Sequence, residues 1–476
     1  MQLKNSNTKW VIGGLLFLWA CAPVIPKTPE VEPAPKTYGE WTNADTTNSG
    51  TISWRNFFTD KHLLSLIDTA MLYNPDLQIA NQRVLMANAE LLRSKAAMIP
   101  TLNANLSPAI RRYGLYTMDG AGNISTFIQP GKIVPINLPD IYVGLQSSWE
   151  ADVWGKLRSR KKAATARWLA SNEGRNWMTT QVVSNIALHY YELQALDNML
   201  RIVDETIVLQ ENALNIVQVQ KEAAAANQLA VEQFAAQLLN TKAIKTQLQQ
   251  QVVDNETALQ LLLGKFPGTV VRDTANYLTT AVPAMQTGVP AMLLQQRPDI
   301  RQATFLLEAT KMDVQAARAA FLPGFNITAA FGYQAFQPNL LFRTPESMAY
   351  ALAGSIVAPL LNRGALKAEF ASANARQIEA LYQYQQTVLT GVAEVYNEMK
   401  RLQNLEQLYQ QRNEQATVLT TSIETASALF RSGRATYLEL LINQQNALQA
   451  RLEVIAAKKQ QWQTSVNLYK ALGGGW

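Results

Sequence analysis

One cysteine and two histidines in 476 residues leave this chain short of the side chains that most often bind metals or attack substrates. A single cysteine excludes an internal disulfide and any cysteine-based metal cluster. His62 and His189 stand 127 residues apart (189 − 62), one ahead of the first helical run and one on a helical stripe, which suits structural histidines better than a catalytic pair. There is no phosphate-binding glycine loop and no cluster of metal ligands, so no enzyme activity, metal or cofactor is expected. Charged residues make up only 16%, low for a soluble protein, against 48% apolar. Even so, past the first twenty positions no run is apolar enough over ~20 residues to form a membrane-spanning helix. The net charge of +6 is modest and spread along the sequence, with no aromatics interleaved among basic clusters, and no nucleic-acid partner is expected.

What the chain does have is duplication. Asn74-Pro75-Asp76-Leu77 opens a helical run closed by Ala97-Met98-Ile99-Pro100, and Arg297-Pro298-Asp299-Ile300 opens another closed by Ala320-Phe321-Leu322-Pro323. The prolines are 25 residues apart in both copies (100 − 75 and 323 − 298), which sets the copies 223 apart. Repetition on this scale implies two structurally equivalent halves. Leu263-Gly264 then matches Leu472-Gly473 at an offset of 209, and Ala187, Tyr190 and Glu192 match Ala393, Tyr396 and Glu398 at 206. The first copy therefore carries about 14 extra residues (223 − 209) between Pro100 and Ala187. The stretch richest in proline and glycine there, Gly114 to Pro139, is the place for a longer loop.

Each copy contains a long helical run. From Lys156 to Gly264 there is no proline, and only Gly174 interrupts the helix formers. Leu193, Leu196, Leu200, Val203 and Ile207 form a seam of alternating three- and four-residue steps, as do Val388, Val392, Val395, Met399 and Leu402. The runs break near Glu222 to Asn227 and at Ser432-Gly433, and a new helix is expected from about Thr436. Each copy is thus expected to form an antiparallel helical hairpin whose ~65-residue arm, at ~1.5 Å per residue, reaches roughly 100 Å.

Ahead of each hairpin the period changes to two. Phe325, Ile327, Ala329, Phe331 and Tyr333 alternate with Asn326, Thr328, Ala330 and Gly332. Leu102, Ala104 and Leu106 alternate with Asn103, Asn105 and Ser107, and Val143, Leu145 and Trp149 with Gly144, Gln146 and Glu150; Tyr350, Leu352 and Ile356 form a weaker fourth case. Such strands suit a transmembrane barrel wall, or alternatively a soluble sandwich packed on the helices. Four strands cannot close a barrel alone, because open edges in lipid leave backbone groups unsatisfied at several kcal/mol each. In a membrane they require a ring of subunits, with two copies giving about 8 strands and three about 12.

At the N-terminus, Lys4 and Lys9 precede an apolar stretch from Trp10 to Ala20, the charge order and length of a secretory signal. Leu18-Trp19-Ala20-Cys21 resembles a bacterial lipoprotein box, with Trp19 larger than the small residue usual there. Cys21 is accordingly the expected mature N-terminus and lipidation site, with palmitate as an acyl group. Pro23 to Pro35 then forms a semi-rigid tether. The expected organisation is a signal peptide over 1–20, anchor and spacer over 21–50, a first repeat over 51–268, a linker over 269–288 and a second repeat over 289–476.

Four stretches, taken in order and spacing, carry a resemblance over nearly the whole chain after Cys21. They are Trp149-Glu150-Ala151-Asp152-Val153-Trp154-Gly155-Lys156; Arg297-Pro298-Asp299-Ile300 through Ala316-Ala317-Arg318-Ala319-Ala320-Phe321-Leu322-Pro323; Gly354-Ser355 through Pro359-Leu360 to Gly364; and Gly433 through Tyr437-Leu438. The chain resembles the TolC-like outer membrane factor family, in particular its efflux lipoproteins, the outer channels of tripartite pumps of the RND type. The resemblance implies a mostly α fold with transmembrane β: duplicated long antiparallel helical hairpins form a trimeric α-barrel, and four strands per chain enter a shared 12-stranded β-barrel. It implies a homotrimer in the bacterial outer membrane, extending into the periplasm, with a periplasmic adaptor, an inner-membrane pump and outer-membrane lipid as partners. The function implied is passive export of drugs or other small molecules.

In that family the turn containing Gly433 lies at the periplasmic tip, where adaptors dock and a gate narrows the tube. The resemblance makes Glu439 a gate candidate beside Leu438 and Ile442, although the second position commonly acidic in the family is Ile442 here. Arg431, Gly433, Arg434 and Thr436 become adaptor-contact candidates, matched by Ala225 to Leu229 in the first copy. Alternatives are the outer channel of a type I protein secretion system, which shares the fold, and a periplasmic coiled-coil adaptor, which carries one hairpin where this chain has two.

Overall fold

The computed structural model describes residues 22–30, 33–35, 37–38, 48–274, 277–359 and 363–476. The leader and Cys21, with the expected lipidation site, lie outside the described residues. The described chain runs α1 (Trp54–Phe57), α2 (Lys61–Tyr73), α3 (Pro75–Ala96), β1 (Thr101–Arg111), α4 (Met118–Ser125), β2 (Phe127–Gln129), β3 (Lys132–Ile133), β4 (Leu138–Ala151), α5 (Lys156–Glu222) and α6 (Gln228–Leu262). A second series follows as α7 (Pro290–Gln296), α8 (Pro298–Ala319), β5 (Gly324–Ala335), β6 (Met348–Val357), α9 (Arg363–Arg431) and α10 (Tyr437–Ala471). No helix among the described residues is long and apolar enough to cross a membrane.

Two compact units each draw on both series. One comprises Met1–Glu30, Met86–Trp168 and Phe305–Leu381; the other Val31–Leu85, Leu169–Thr304 and Tyr382–Trp476. The first unit is built around a four-stranded antiparallel sheet in the order β1-β4-β5-β6, so its central pairing joins strands from different copies. The connection β1 to β4 spans residues 112–137, against 336–347 between β5 and β6, a difference of 14. Those extra residues are not plain loop. They contain α4, capped by Thr117 Oγ1 accepting from the Gly120 N–H at 3.1 Å, and the small β2-β3 hairpin. Hydrophobic alternation is too short in either to announce them in the sequence.

Helices dominate the second unit. α5 and α9 run 67 and 69 residues, but the return helices α6 and α10 have only 35 each, so the hairpins are unequal in arm length. Their ends show why. α6 stops at the Leu263-Gly264 pair, where Gly264 adopts φ +67 and the Lys265 N–H turns back to Gln260 O at 2.9 Å. There the start of α3 abuts it: Asn74 donates its side-chain amide to Leu262 O at 2.7 Å and caps α3 by accepting the Leu77 N–H at 3.0 Å. A Cβ on Gly264 would lie 2.3 Å from Tyr73 O, so only glycine admits this junction. In the second copy Arg297 takes the place of Asn74 and donates to Ala471 O at 2.9 Å, which matches Leu262 at the offset of 209.

Both seams lie inward. Leu193, Leu196 and Val203 are buried, with Leu200 and Ile207 packed beside them, against Leu248 and Leu259 of α6 and Leu448, Ile455 and Val466 of α10. Val388 and Val395, flanked by Val392, Met399 and Leu402, pack with Leu293, Ile300, Leu468 and Leu472. Tyr38 is buried in this second cluster with only 2% of its surface exposed, and Ala34 packs on it. Tyr38, in the expected 21–50 anchor-and-spacer segment, is therefore part of the core. A sparse proline-rich segment can still dock where a single large aromatic finds a slot.

Candidate functional sites: the sheet and the helical tips

Register sorts the sheet's side chains onto two chemically distinct faces. Residues opposite one another across a pair share a face, so Ala104, Leu145, Phe331 and Tyr350 form one row, and Leu106, Val143, Tyr333 and Met348 the next. Leu102, Ser147, Ala329 and Leu352 continue the same face. Its large side chains lie bare: Tyr350 is 82% exposed and Leu352 79%. The opposite face carries Asn103, Gln146, Ala330 and Ala351 in one row and Glu150, Asn326 and Ser355 in another. It is tied across strands by Asn105 Nδ2 to Gln146 Oε1 at 3.3 Å and Gln334 Nε2 to Asp140 Oδ1 at 2.7 Å. The outer edges of β1 and β6 have no strand neighbour among the described residues.

The Trp149–Lys156 stretch turns the chain from strand to helix. Trp149 Nε1 donates to Met98 O at 3.0 Å and Trp154 Nε1 to Pro323 O at 2.8 Å, fixing both indoles to the turns that precede β1 and β5. Asp152 accepts the N–H groups of Leu157 and Arg158, each at 2.9 Å, satisfying free donors in the first turn of α5. Glu150, on the polar face, pairs with Lys156 at 2.5 Å. These carboxylates serve the junction.

At the far end of each hairpin, α5 passes to α6 and α9 to α10 through the same five-residue turn. The Ala225 N–H bonds Gln220 O at 2.8 Å and the Arg434 N–H bonds Leu429 O at 2.8 Å, positions related by 209. Gly433 holds φ +71, while its counterpart Ala224 holds φ +57 without being glycine. Asn227 and Thr436 cap the returning helices, Asn227 accepting from the Ala230 N–H at 2.9 Å. The two tips pack on one another through Val217, Phe234 and Ala230 of the first copy and Ala426 and Leu440 of the second.

Around this small core, Arg431, Gly433, Arg434, Thr436, Leu438, Glu439 and Ile442 are all exposed. The Glu439 carboxylate is not idle. Its Oε2 accepts from the Thr436 N–H at 2.6 Å and from the Thr436 hydroxyl at 3.0 Å, while the Glu439 N–H returns to Thr436 Oγ1 at 3.4 Å. This is a closed capping box, and the Thr436 backbone and hydroxyl bonds hold the carboxyl below the usual glutamate range. Leu438 and Ile442, one turn apart, flank it on the surface.

The sequence pattern of the outer membrane efflux protein family matches residues 66–265 and 289–474, most of both copies. The chain belongs to that family. The pyoverdine export outer membrane protein OpmQ of Pseudomonas putida is 29% identical over 464 residues, covering 97% of this chain and 96% of the relative. The cation efflux system protein CusC of Escherichia coli is 27% identical over 423 residues, 89% of this chain and 88% of that one. A crystal structure of CusC, described with its transmembrane channel formation, superposes with a TM-score of 0.79 at 26% identity over 95% of this chain and 99% of the other. As an outer membrane efflux protein of TolC-like fold, the chain is a channel component that works at the outer membrane.

Two features of this efflux protein had no announcement in the sequence. Arg297, read there only as part of a repeated motif, is a charge with 1% exposure, held by Asp299 at 3.0 and 2.7 Å, Glu394 at 2.8 Å and Ala471 O. Burial opposes its charge, yet these bonds prevail and raise its pKa above the ordinary arginine value. Arg272 is clasped likewise by Asp197 and Glu256. His189 Nδ1 meets Asn255 Oδ1 at 2.9 Å, and at His62 the backbone N–H donates to the N-cap Asp60 Oδ1 at 2.8 Å. Among the described residues no group of acids, histidines and cysteines has the spacing of a metal site.

Proposed function

We propose that three copies close their sheets into one 12-stranded barrel in the outer membrane and that their helices form a tube continuing into the periplasm. The assembly serves as the passive exit duct of a tripartite efflux pump. One observation carries the reading: a four-stranded sheet with one bare apolar face, one polar face and, among the described residues, two long unpaired edges. Such edges are untenable in lipid unless neighbouring strands satisfy them. Two copies would give about 8 strands, whose interior side chains fill, whereas about 12 leave a lumen through which cargo can pass. A duct needs no catalysis, so the chain is not an enzyme and requires no cofactor.

Within that assembly the exposed tip meets a periplasmic adaptor through Arg431, Gly433, Arg434 and Thr436, and the adaptor connects it to an inner-membrane pump that supplies the energy. Leu438, Glu439 and Ile442 narrow the tube at the same end. Cys21 carries the lipid anchor. The relatives are named for pyoverdine export and for cation efflux, which supports small solutes as cargo.

Mass determination on the detergent-purified protein tests the reading. Three copies per particle in the outer-membrane fraction are expected; a stable dimer, or a soluble monomer after removal of acyl groups, overturns it. Metabolic labelling with a fatty-acid analogue separately tests the anchor: equal absence of label in wild type and Cys21→Ala refutes lipidation and leaves the channel standing.

A further inference from the structure

The excess positive charge is not spread through the fold as it is along the sequence. Residues 90–95, 150–167, 308–318 and 363–369, the helix ends next to the strands, together hold twelve Lys and Arg against six Asp and Glu, an excess equal to the net charge of the entire chain. All lie in the unit that carries the sheet. Four of the six acids are taken up by Arg93, Lys156, Arg158 and Arg167. No carboxylate pairs with Lys95, Lys162 or Arg318 among the described residues, and all three are exposed. Lys95 and Arg318 are equivalent in the two copies (318 − 95 is 223), so the duplication places a cation twice at the same level.

Arg318 lines a groove of about 510 Å³ with Trp154, Ser159, Gln315, Leu322 and Ala22. The side on which this groove opens is marked by Trp154, whose ring lies 6.4 Å from that of Phe325. Phe325 stands in a row with Ala151 and Ile356, on the bare apolar face of the sheet. Lys162 follows Ser159 by one helical turn. An apolar face bounded at its helical end by unpaired cations and a groove matches an anionic glycerophospholipid: acyl chains lie along the strands while the phosphate meets the cations.

We propose that this groove and the cations around it bind the headgroup of an anionic phospholipid of the surrounding bilayer, with Arg318 as the phosphate contact and Lys162 beside it. Arg318 suits the role because a guanidinium can bind phosphate through two parallel hydrogen bonds. The inference rests on the sheet being membrane-embedded.

The test uses the full-length protein, purified in neutral detergent and titrated with phosphatidylglycerol or phosphatidylcholine while native mass spectrometry counts bound lipids. Wild type is expected to prefer phosphatidylglycerol. Arg318→Gln should lower that preference about fivefold, and adding Lys162→Gln should lower it by about as much again. Arg318→Lys should retain part of it, and Arg434→Gln in the turn between α9 and α10 all of it. Equal binding of the two lipids, or Gln variants that match wild type, overturns the site. A preference absent in wild type and gained only in Cys21→Ala overturns it too, because the wild-type groove is then filled by the protein's own acyl chain. A trimer without lipid preference refutes only this site, whereas a soluble monomer refutes the membrane reading beneath it.

Discussion

The two tip turns offer a reciprocal test of the backbone argument. Gly433 sits at φ +71 with nothing within 4 Å of where a Cβ would stand, so Gly433→Ala introduces no clash, only the strain of a left-handed residue. That strain is ~1–2 kcal/mol, offset by ~0.4–1 kcal/mol because alanine restricts the unfolded chain. A net loss of ~0.5–1 kcal/mol follows, a two- to fivefold rise in local opening. Ala224 already carries the strain at φ +57, so Ala224→Gly should move the first tip by the same amount in the opposite direction. Limited trypsinolysis reads this directly, since cleavage tracks the opened population when closing outpaces it. Lys221 marks the first tip; Arg431 and Arg434 mark the second. Faster cleavage in Gly433→Ala and slower cleavage in Ala224→Gly are expected. If Ala224→Gly accelerates cleavage after Lys221, or Gly433→Ala leaves both tips unchanged, the equivalence of the turns does not govern their stability.

Removing Arg297 leaves Asp299 and the part-exposed Glu394 without their buried partner; because solvent reaches Glu394, Arg297→Ala should cost about 3 kcal/mol, the low end for a broken buried pair, against about 1 kcal/mol for loss of the helix cap in Asn74→Ala, and thermal melts of the purified protein should rank them in that order. On the sheet, Leu352→Arg places a charge on the apolar face and should cost about 2–4 kcal/mol near the bilayer centre, while Ala351→Arg on the polar face should leave the yield of assembled protein largely intact; equal yields would mean that the faces are misassigned. Glu439→Ala should lower cation selectivity in single-channel recordings, and an unchanged reversal potential would count against a gate position. Because the folded-state pKa of Glu439 is depressed, its capping box contributes fully above the ordinary glutamate range and is lost as pH falls below it, so proteolysis of the second tip should accelerate only in acid, and not in Glu439→Gln, whose amide closes the box without titrating.

Much of the architecture was legible because it is periodic. Alternation from Phe325 to Tyr333 anticipates a strand found over Gly324–Ala335, and the helix breaks near Glu222 and Ser432 fall where α5 and α9 end. Periodicity describes one element at a time, however. Nothing in it says that β4 and β5, 173 residues apart at their last and first residues (324 − 151), should be neighbours, nor that α6 should stop where α3 begins. Those relations depend on contacts between distant residues, as at Asn74 and Leu262. The Arg318 groove escaped for a similar reason: Trp154, Ser159 and Arg318 line one groove only when folding brings distant stretches of the sequence together. Glu439 was legible as an exposed acid after the turn, but its bond to Thr436 needed the geometry of the cap.

The unpaired edges of β1 and β6 also constrain how the protein is made. A lone sheet cannot wait in the bilayer for its companions, since each stranded amide there exacts its penalty until a neighbour arrives. In the trimeric barrel proposed above, insertion and oligomerisation therefore form a single event, and the rate at which mature pores appear should climb steeply with the amount of newly delivered chain.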